Sequence, residues 1–78
     1  MPEIKVDDAL WRSSLLPEGI VEHWFVRDGA QVAAGTPVVA IRIEDALHEI
    51  MAPVSGALAI IAKANAVIDP GSVLAEIF

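Results

Sequence analysis

Residues 42–56, RIEDALHEIMAPVSG, are the stretch that decides the fold. They indicate a strand, a tight polar turn at Glu44-Asp45, a second strand, and a corner marked by Pro53 and Gly56. Asp favours turns because its side chain can bond its own backbone, Pro presets φ, and Gly accepts backbone angles that other residues avoid. The stretch therefore predicts a hairpin with Asp45 at its tip, followed by a sharp change of chain direction.

The rest of the chain repeats this alternation of short apolar runs and turn signals. The turns contain Gly, Asn, Asp or Pro, and no segment offers ten residues of helical period free of them. Asp8–Leu16 predicts at most a short turn. The sequence therefore predicts an all-β fold with short pieces near Val32 and Val67-Ile68 and six longer strands, at Glu3–Val6, Ile20–Val26, Val38–Ile43, Leu47–Met51, Gly56–Ala62 and Val73–Ile77.

An internal repeat relates two parts of the chain. VRDGAQVAAGTPVVAI, from Val26 to Ile41, matches AKANAVIDPGSVLAEI, from Ala62 to Ile77, at an offset of 36 residues. Gly29 then aligns with Asn65, and both residue types tolerate a left-handed backbone. Turn residues that recur at matched positions predict two similar halves related by a pseudo-twofold axis, which interlock because neither half alone closes a core.

Length and charge narrow the possible functions. The 78 residues suit one domain spanning 1–78, without cysteine, and the formal net charge is −6. The five Lys and Arg residues are scattered singly, so no basic stripe exists for nucleic acid, and an anionic membrane surface is disfavoured. No secretory signal is recognisable at the start, so we expect a cytoplasmic protein whose charged partners present Lys and Arg.

Several segments together resemble the biotinyl/lipoyl attachment domains. EIKV is similar to their first strand, MAPVSGAL to their eAPvsGvl, and VIDPGSVLAEI to their closing VpvGtvlaei. EGIVEHWFVRDGAQVAAGTPVVAI resembles their egtiveWlVkeGDxVxxGxpLaei, including the spacing of Trp24, Gly29, Val32 and Gly35. The resemblance implies a flattened barrel-sandwich of two four-stranded antiparallel sheets with a pseudo-twofold repeat.

The hairpin tip departs from the family pattern. Family tips read ETDKA in the lipoyl branch or EAMKM in the biotin branch, and their lysine takes the cofactor. Counting back from Ala52-Pro53 places Asp45, between Glu44 and Ala46, at that lysine in both alignments. A carboxylate cannot supply the amine that the cofactor amide needs. We therefore expect no cofactor. The alternative is a genuine lipoate or biotin carrier, modified at Lys63 or within an untypical tip.

The resemblance also implies a partner surface. In the family, the loop that corresponds to DDALWRSSLLPEG lies beside the modified hairpin and helps partner enzymes recognise the domain. Its candidate contact residues here are Leu10, Trp11, Leu15 and Leu16, although the plainer interpretation is that these residues cover one end of the barrel. The implied partners are proteins of a dehydrogenase or carboxylase complex. Glu44-Asp45 is either a solvated turn or a recognition tip for a basic partner.

Other function classes find little support in the sequence. No nucleotide-binding loop, nucleophile elbow or cysteine nucleophile is present, so we expect no enzyme activity from this chain. His23 and His48 lack the spacing of a zinc motif, and we expect no metal. A purely structural module, as in membrane-fusion subunits of efflux systems, would carry a long helical hairpin where this chain has a tight turn.

Overall fold

The structure, a computed structural model, describes residues 2–11 and 18–78. A short 3-10 helix, Asp8–Trp11, is the only helix in these two ranges, and the remaining elements are strands. The all-β prediction is confirmed, with every predicted strand present. The strands are β1 (Glu3–Lys5), β2 (Gly19–Trp24), β3 (Gln31–Val32), β4 (Pro37–Ile43), β5 (Ala46–Met51), β6 (Gly56–Ile60), β7 (Val67–Ile68) and β8 (Val73–Ile77).

Strands β2 and β6 end two residues earlier than the sequence predicts. After Trp24, Phe25 N makes one further bond to Val38 O (2.8 Å), and the chain then bends toward the next turn. At the end of β6, the Ile60 amide donates to Asp28 Oδ1 at 2.8 Å. The side chain of Asp28, from the other half of the domain, therefore accepts a hydrogen bond from a backbone amide. The hydropathy pattern alone would assign that amide to the hydrogen-bond ladder between strands.

The strands form two four-stranded antiparallel sheets. The first sheet has the order β1-β8-β6-β3, and the second has the order β5-β4-β2-β7. The repeat makes β2 equivalent to β6, β3 to β7 and β4 to β8. Replacing each strand by its equivalent converts the run β8-β6-β3 of the first sheet into the run β4-β2-β7 of the second. The predicted flattened sandwich with a pseudo-twofold repeat is therefore confirmed.

Backbone hydrogen bonds repeat the same relation at the turns. Ala30 N donates to Arg27 O, and 36 residues later Ala66 N donates to Lys63 O, both at 3.0 Å. The left-handed positions also match, because Gly29 has φ of 86° and its equivalent Asn65 has φ of 73°. Matched turn residues in the sequence therefore identify matched turns in space.

The core lies between the two sheets and draws on both halves. Alternate residues of a strand point inward because the side-chain period is two, but at the register shift between Pro37 and Val39 the adjacent Val38 and Val39 are both buried. Burying each large aliphatic side chain contributes about 1.5–3 kcal/mol. The largest side chains without solvent exposure are Val21, Val38, Val39 and Ile41 from the second sheet and Leu58 and Leu74 from the first.

Two local features of the second sheet position the functional surfaces. A β-bulge between Val21 and His23 shifts the register of β2 against β4 at Glu22. The β4–β5 hairpin has its own register shift, between Pro37 and Val39, and is regular from there to its last pair, Ile43 and Ala46. In the two described ranges, no helix is long and apolar enough to cross a bilayer.

Candidate functional site

The tip of the β4–β5 hairpin is a two-residue loop. Ile43 pairs with Ala46, so only Glu44 and Asp45 connect the strands. Glu44 has φ of 53°, whereas Asp45 does not have a positive φ. A positive φ at the first loop position alone is the pattern of a type II′ turn, which favours Gly there. Glu44, Asp45 and Ala46 (hereafter the tip) are all exposed.

A cleft of about 630 Å³ lies beside the tip. It is hereafter the tip cleft. The 3-10 helix contributes Ala9 and Leu10, and Leu10 is half-buried against the core. The structure thus brings one predicted partner residue, Leu10, next to the tip. The hairpin lines the other side of the cleft, with Ile43, Glu44, Asp45, Ala46 and His48.

Negative charge predominates at this end of the molecule. Arg42 Nε donates to Glu22 Oε1 at 3.0 Å, so the nearest cation of the hairpin is already paired. That hydrogen bond, with the attraction between the two charges, raises the pKa of Arg42, and the nearby Asp45 adds a smaller effect in the same direction. Neither ion pair seen among the described residues uses the carboxylate of Glu44 or Asp45.

Trp11 has a different place from the one predicted for a partner contact. Its side chain is 7% exposed and belongs to the core. A methyl group built on Gly19 would lie 3.3 Å from Trp11 Cζ2 and 3.0 Å from the carbonyl oxygen of Arg42. Trp11 therefore packs into the core close to Gly19, because an indole in a small domain stabilises more as core than as exposed surface. Its prediction as a partner-facing residue needs this correction.

The remaining predicted residues divide into two groups. Leu15 and Leu16 lie outside the described residues. His23 and His48 belong to one sheet, but His23 pairs with Ala40 and His48 with the inward-facing Ile41. Since adjacent residues of a strand point to opposite faces, the two imidazoles lie on opposite faces of the sheet.

Besides Ala9 of the 3-10 helix, sequence reasoning missed two hairpin residues of the tip cleft, Ile43 and His48. The signal that could have identified them is the alternation along the hairpin. Ile43, Ala46 and His48 all belong to the inward-facing set of β4 and β5. Near the tip, Ala46 is exposed and His48 is half-buried, whereas Ile43 is buried. Chemically, the tip cleft offers two carboxylates, one imidazole and an apolar floor. These groups suit cationic side chains.

Comparisons with known proteins identify the family. The family model described as "Biotin-requiring enzyme", Biotin_lipoyl, matches residues 12–77. The chain belongs to the biotinyl/lipoyl attachment domain family. Members of this family are carrier domains that hold lipoate or biotin covalently and are not themselves catalysts. The predicted membership is therefore confirmed.

A solved structure shows the same fold. The chain is similar to the lipoyl domain of the 2-oxoglutarate dehydrogenase complex from Azotobacter vinelandii, with a TM-score of 0.74 and 21% sequence identity. The match covers 96% of this chain and 95% of that domain. No curated protein matches the sequence significantly.

The tip residues do not fit covalent attachment of the family's cofactors. Lipoate and biotin are joined through an amide to an amine, and the loop between Ile43 and Ala46 holds two carboxylates. The lysines of the chain are Lys5, in β1, and Lys63, in the turn between β6 and β7. Neither belongs to the β4–β5 hairpin of this biotinyl/lipoyl domain.

Proposed function

We propose that this chain is a carrier-type domain without an acceptor lysine, unmodified at its tip, that acts as a non-catalytic interaction or assembly module. The system that it serves is an acyl-transfer system of the 2-oxoacid dehydrogenase kind. The proposal rests on one observation: Ile43 pairs with Ala46, so the loop at the tip consists of Glu44 and Asp45 alone. Asp45 occupies the position of the family's acceptor lysine.

The chemistry of attachment supports the loss of carrier function. A lysine Nζ is a nucleophile on a flexible four-carbon stem, and it forms an amide with the activated carboxyl group of the cofactor. Asp45 presents a carboxylate on a single methylene, so it has neither the nucleophilic nitrogen nor the reach. The domain is thus no carrier at this position, and the proposed role is not catalytic.

The shape of the site supports an interaction role. The tip and Leu10 border the tip cleft, and Glu44 and Asp45 are exposed carboxylates. A partner that presents Lys or Arg beside an apolar side chain would complement both the charge and the apolar floor. The solved relative is a domain of the 2-oxoglutarate dehydrogenase complex, which supports components of such complexes as the partners. The location that we propose, as expected from the sequence, is the cytoplasm.

The decisive experiment is an intact-mass measurement. The domain is co-expressed with a lipoate ligase or a biotin ligase and an excess of the cofactor. We expect an unmodified mass for the wild type and a gain of one cofactor for Asp45→Lys. Glu44→Lys is the matched control, since it places the same amine one position away and should gain nothing or much less.

A mass gain on the wild-type chain would overturn the proposal in favour of a genuine carrier. Lys5→Arg and Lys63→Arg would then identify the modified residue, because arginine keeps the positive charge but does not accept the cofactor. If Asp45→Lys also stays unmodified while a family domain with a lysine tip is modified in parallel, Asp45 is not the acceptor position and the alignment of the tip is wrong.

A further inference from the structure

The outer face of the second sheet carries a row of four residues, one from each strand. They are Leu47 in β5, Arg42 in β4, Ile20 in β2 and Val67 in β7, hereafter the outer row. Arg42 stands opposite Leu47 on one side and Ile20 on the other, and Ile20 stands opposite Val67. Directly opposed residues lie on the same face with Cβ atoms about 4.5–5.5 Å apart. The outer row is therefore continuous across the sheet, over about 14 Å.

The outer row is largely apolar and open to solvent. Leu47 is 53% exposed, Ile20 43% and Val67 63%. The neighbouring residues Val21 and Ile41 are fully buried and paired with each other, which confirms that the outer row faces away from the core. Contiguous exposed apolar side chains of this kind are typical of interaction sites.

The internal repeat shows that the fold does not require these apolar residues. Ala57 in β6 pairs with Gln31 in β3 in the first sheet, as Ile20 pairs with Val67 in the second. The equivalent hydrogen bonds, Leu58 N to Ala30 O and Val21 N to Ala66 O, are both 2.9 Å long. The same backbone positions thus accept Ala and Gln in one sheet, so the architecture gives no reason for Ile and Val in the other.

Acidic side chains surround the outer row. A shallow depression of about 250 Å³ along it includes Glu18 and Glu44 among its lining residues. Glu49 lies two residues from Leu47 on the same face of β5. The charge of Arg42 is compensated by Glu22 at 3.0 Å. Two copies of a chain with net charge −6 would place these carboxylates against each other, which disfavours a second copy as occupant.

We propose that the outer row is a docking surface for a basic amphipathic segment of a partner protein. Apolar side chains of the segment would cover Leu47, Ile20 and Val67, and its Lys or Arg side chains would face the surrounding carboxylates. This surface differs from the tip cleft. It also does not depend on whether the tip is modified, so it goes beyond the function proposed above.

The test uses a synthetic amphipathic helix of leucine and lysine, and a second peptide in which glutamate replaces every lysine. Each peptide is titrated into the ¹⁵N-labelled domain, and amide shifts report where and how tightly it binds. We expect the lysine peptide to shift amides along the outer row and to bind more weakly as salt is raised. The glutamate peptide should not bind.

The repeat supplies variants that should keep the fold. Ile20→Ala and Val67→Gln introduce the residues that the first sheet already carries at the equivalent positions, and together they should weaken binding by about tenfold or more. Ile61→Ala is the matched control, since Ile61 is 50% exposed and lies outside the outer row. The lysine peptide should still bind at the outer row of the Asp45→Lys variant. A failure of this proposal can therefore be distinguished from a failure of the function proposed for the tip.

Three outcomes would overturn the proposal. Binding of the lysine peptide that is unchanged in the double variant would remove the outer row as the site. Shifts confined to the tip cleft or the first sheet would move the site elsewhere. Sedimentation that shows wild-type self-association, lost in the double variant, would make a second copy the occupant instead.

Discussion

Gly29 and Asn65 occupy equivalent positions in the two halves of the domain, and each bonds to the other half through its backbone amide. Gly29 N donates to Leu58 O at 2.6 Å, and Asn65 N donates to Val21 O at 2.7 Å. Both residues have a left-handed backbone, with φ of 86° and 73°. The turn of each half is therefore tied to the central strand of the other, and the halves interlock through this pair.

Asn65→Ala should destabilise the domain, whereas Asn65→Gly should not. A left-handed backbone costs a residue with a Cβ atom about 1–2 kcal/mol, and Asn tolerates it better than Ala. We expect Asn65→Ala to lower the free energy of unfolding by about 1 kcal/mol and Asn65→Gly to change it by less than about 0.5 kcal/mol. Urea unfolding of the wild type and of both variants measures these changes in the free energy of unfolding. Equal losses for both variants would mean that the Asn65 side chain, rather than its φ, matters.

The repeat explains how much of the fold the sequence predicts. Gly29 and Asn65, or Gly35 and Gly71, are turn residues whose backbone requirements are local, so they can be recognised without a structure. Strand ends are less local. Ile60, the last residue of β6, still pairs with Ala75, but its amide donates to Asp28, 32 residues away. No hydropathy pattern around Ile60 contains that information.

The candidate site is predictable to a smaller extent. The tip follows from one short stretch of sequence, and its residues lie where that stretch predicts them. Trp11 packs instead close to Gly19, which has no side chain to interfere, and no local pattern of the sequence predicts this contact. The outer row is likewise invisible in the sequence, because it joins side chains from four strands whose register only the folded sheet defines.

Gly56→Ala should destabilise the domain severely. A methyl group on Gly56 would lie 2.6 Å from both Ile77 Cγ2 and the carbonyl oxygen of Phe78. Overpacking of this kind costs about 1–3 kcal/mol, which is a large part of the roughly 3–5 kcal/mol available to a domain of this size. We expect a urea midpoint clearly below that of the wild type, measured by near-UV circular dichroism.

Gly29→Ala is the control that separates steric overlap from backbone strain. Gly29 also has a positive φ, but a methyl group there would meet no atom within 4 Å. The loss should therefore be limited to the strain, about 1 kcal/mol. If Gly29→Ala were as damaging as Gly56→Ala, the contact of residue 56 with β8 would not be the cause.

Glu44→Gly should stabilise the tip. Glu44 has a φ of 53° at the first loop position of the turn. In this turn type, that position is occupied mainly by Gly because it requires a positive φ. Glycine relieves this strain, which stabilises the fold, but it also adds conformational freedom to the unfolded chain, which destabilises the fold. We expect the first effect to exceed the second by a few tenths to about 1 kcal/mol. Asp45→Gly, at the neighbouring position without a positive φ, should instead lower the free energy of unfolding. Thermal unfolding of both variants tests these two predictions. Stabilisation by Asp45→Gly and not by Glu44→Gly would contradict this turn geometry.

The Glu22–Arg42 pair should make stability depend on pH in the acidic range. The hydrogen bond from Arg42, with the attraction between the two charges, holds the pKa of Glu22 below its ordinary value of 4.5, and His23 adds a smaller effect. Because the folded pKa is lowered, the folded state binds fewer protons than the unfolded state between the two values. The pair therefore stabilises the domain fully above pH 4.5, and this contribution is lost as pH falls through the folded pKa.

Glu22→Gln removes this contribution while keeping the shape of the side chain. We expect the urea midpoint of the wild type to exceed that of the variant near neutral pH, and the difference to shrink below pH 4.5. The difference should also shrink in high salt, since the pair is exposed. Glu49→Gln, which removes one negative charge from the same face, is the control for net charge. A difference between wild type and Glu22→Gln that stays constant from neutral to acidic pH would exclude ionisation of Glu22 as its source.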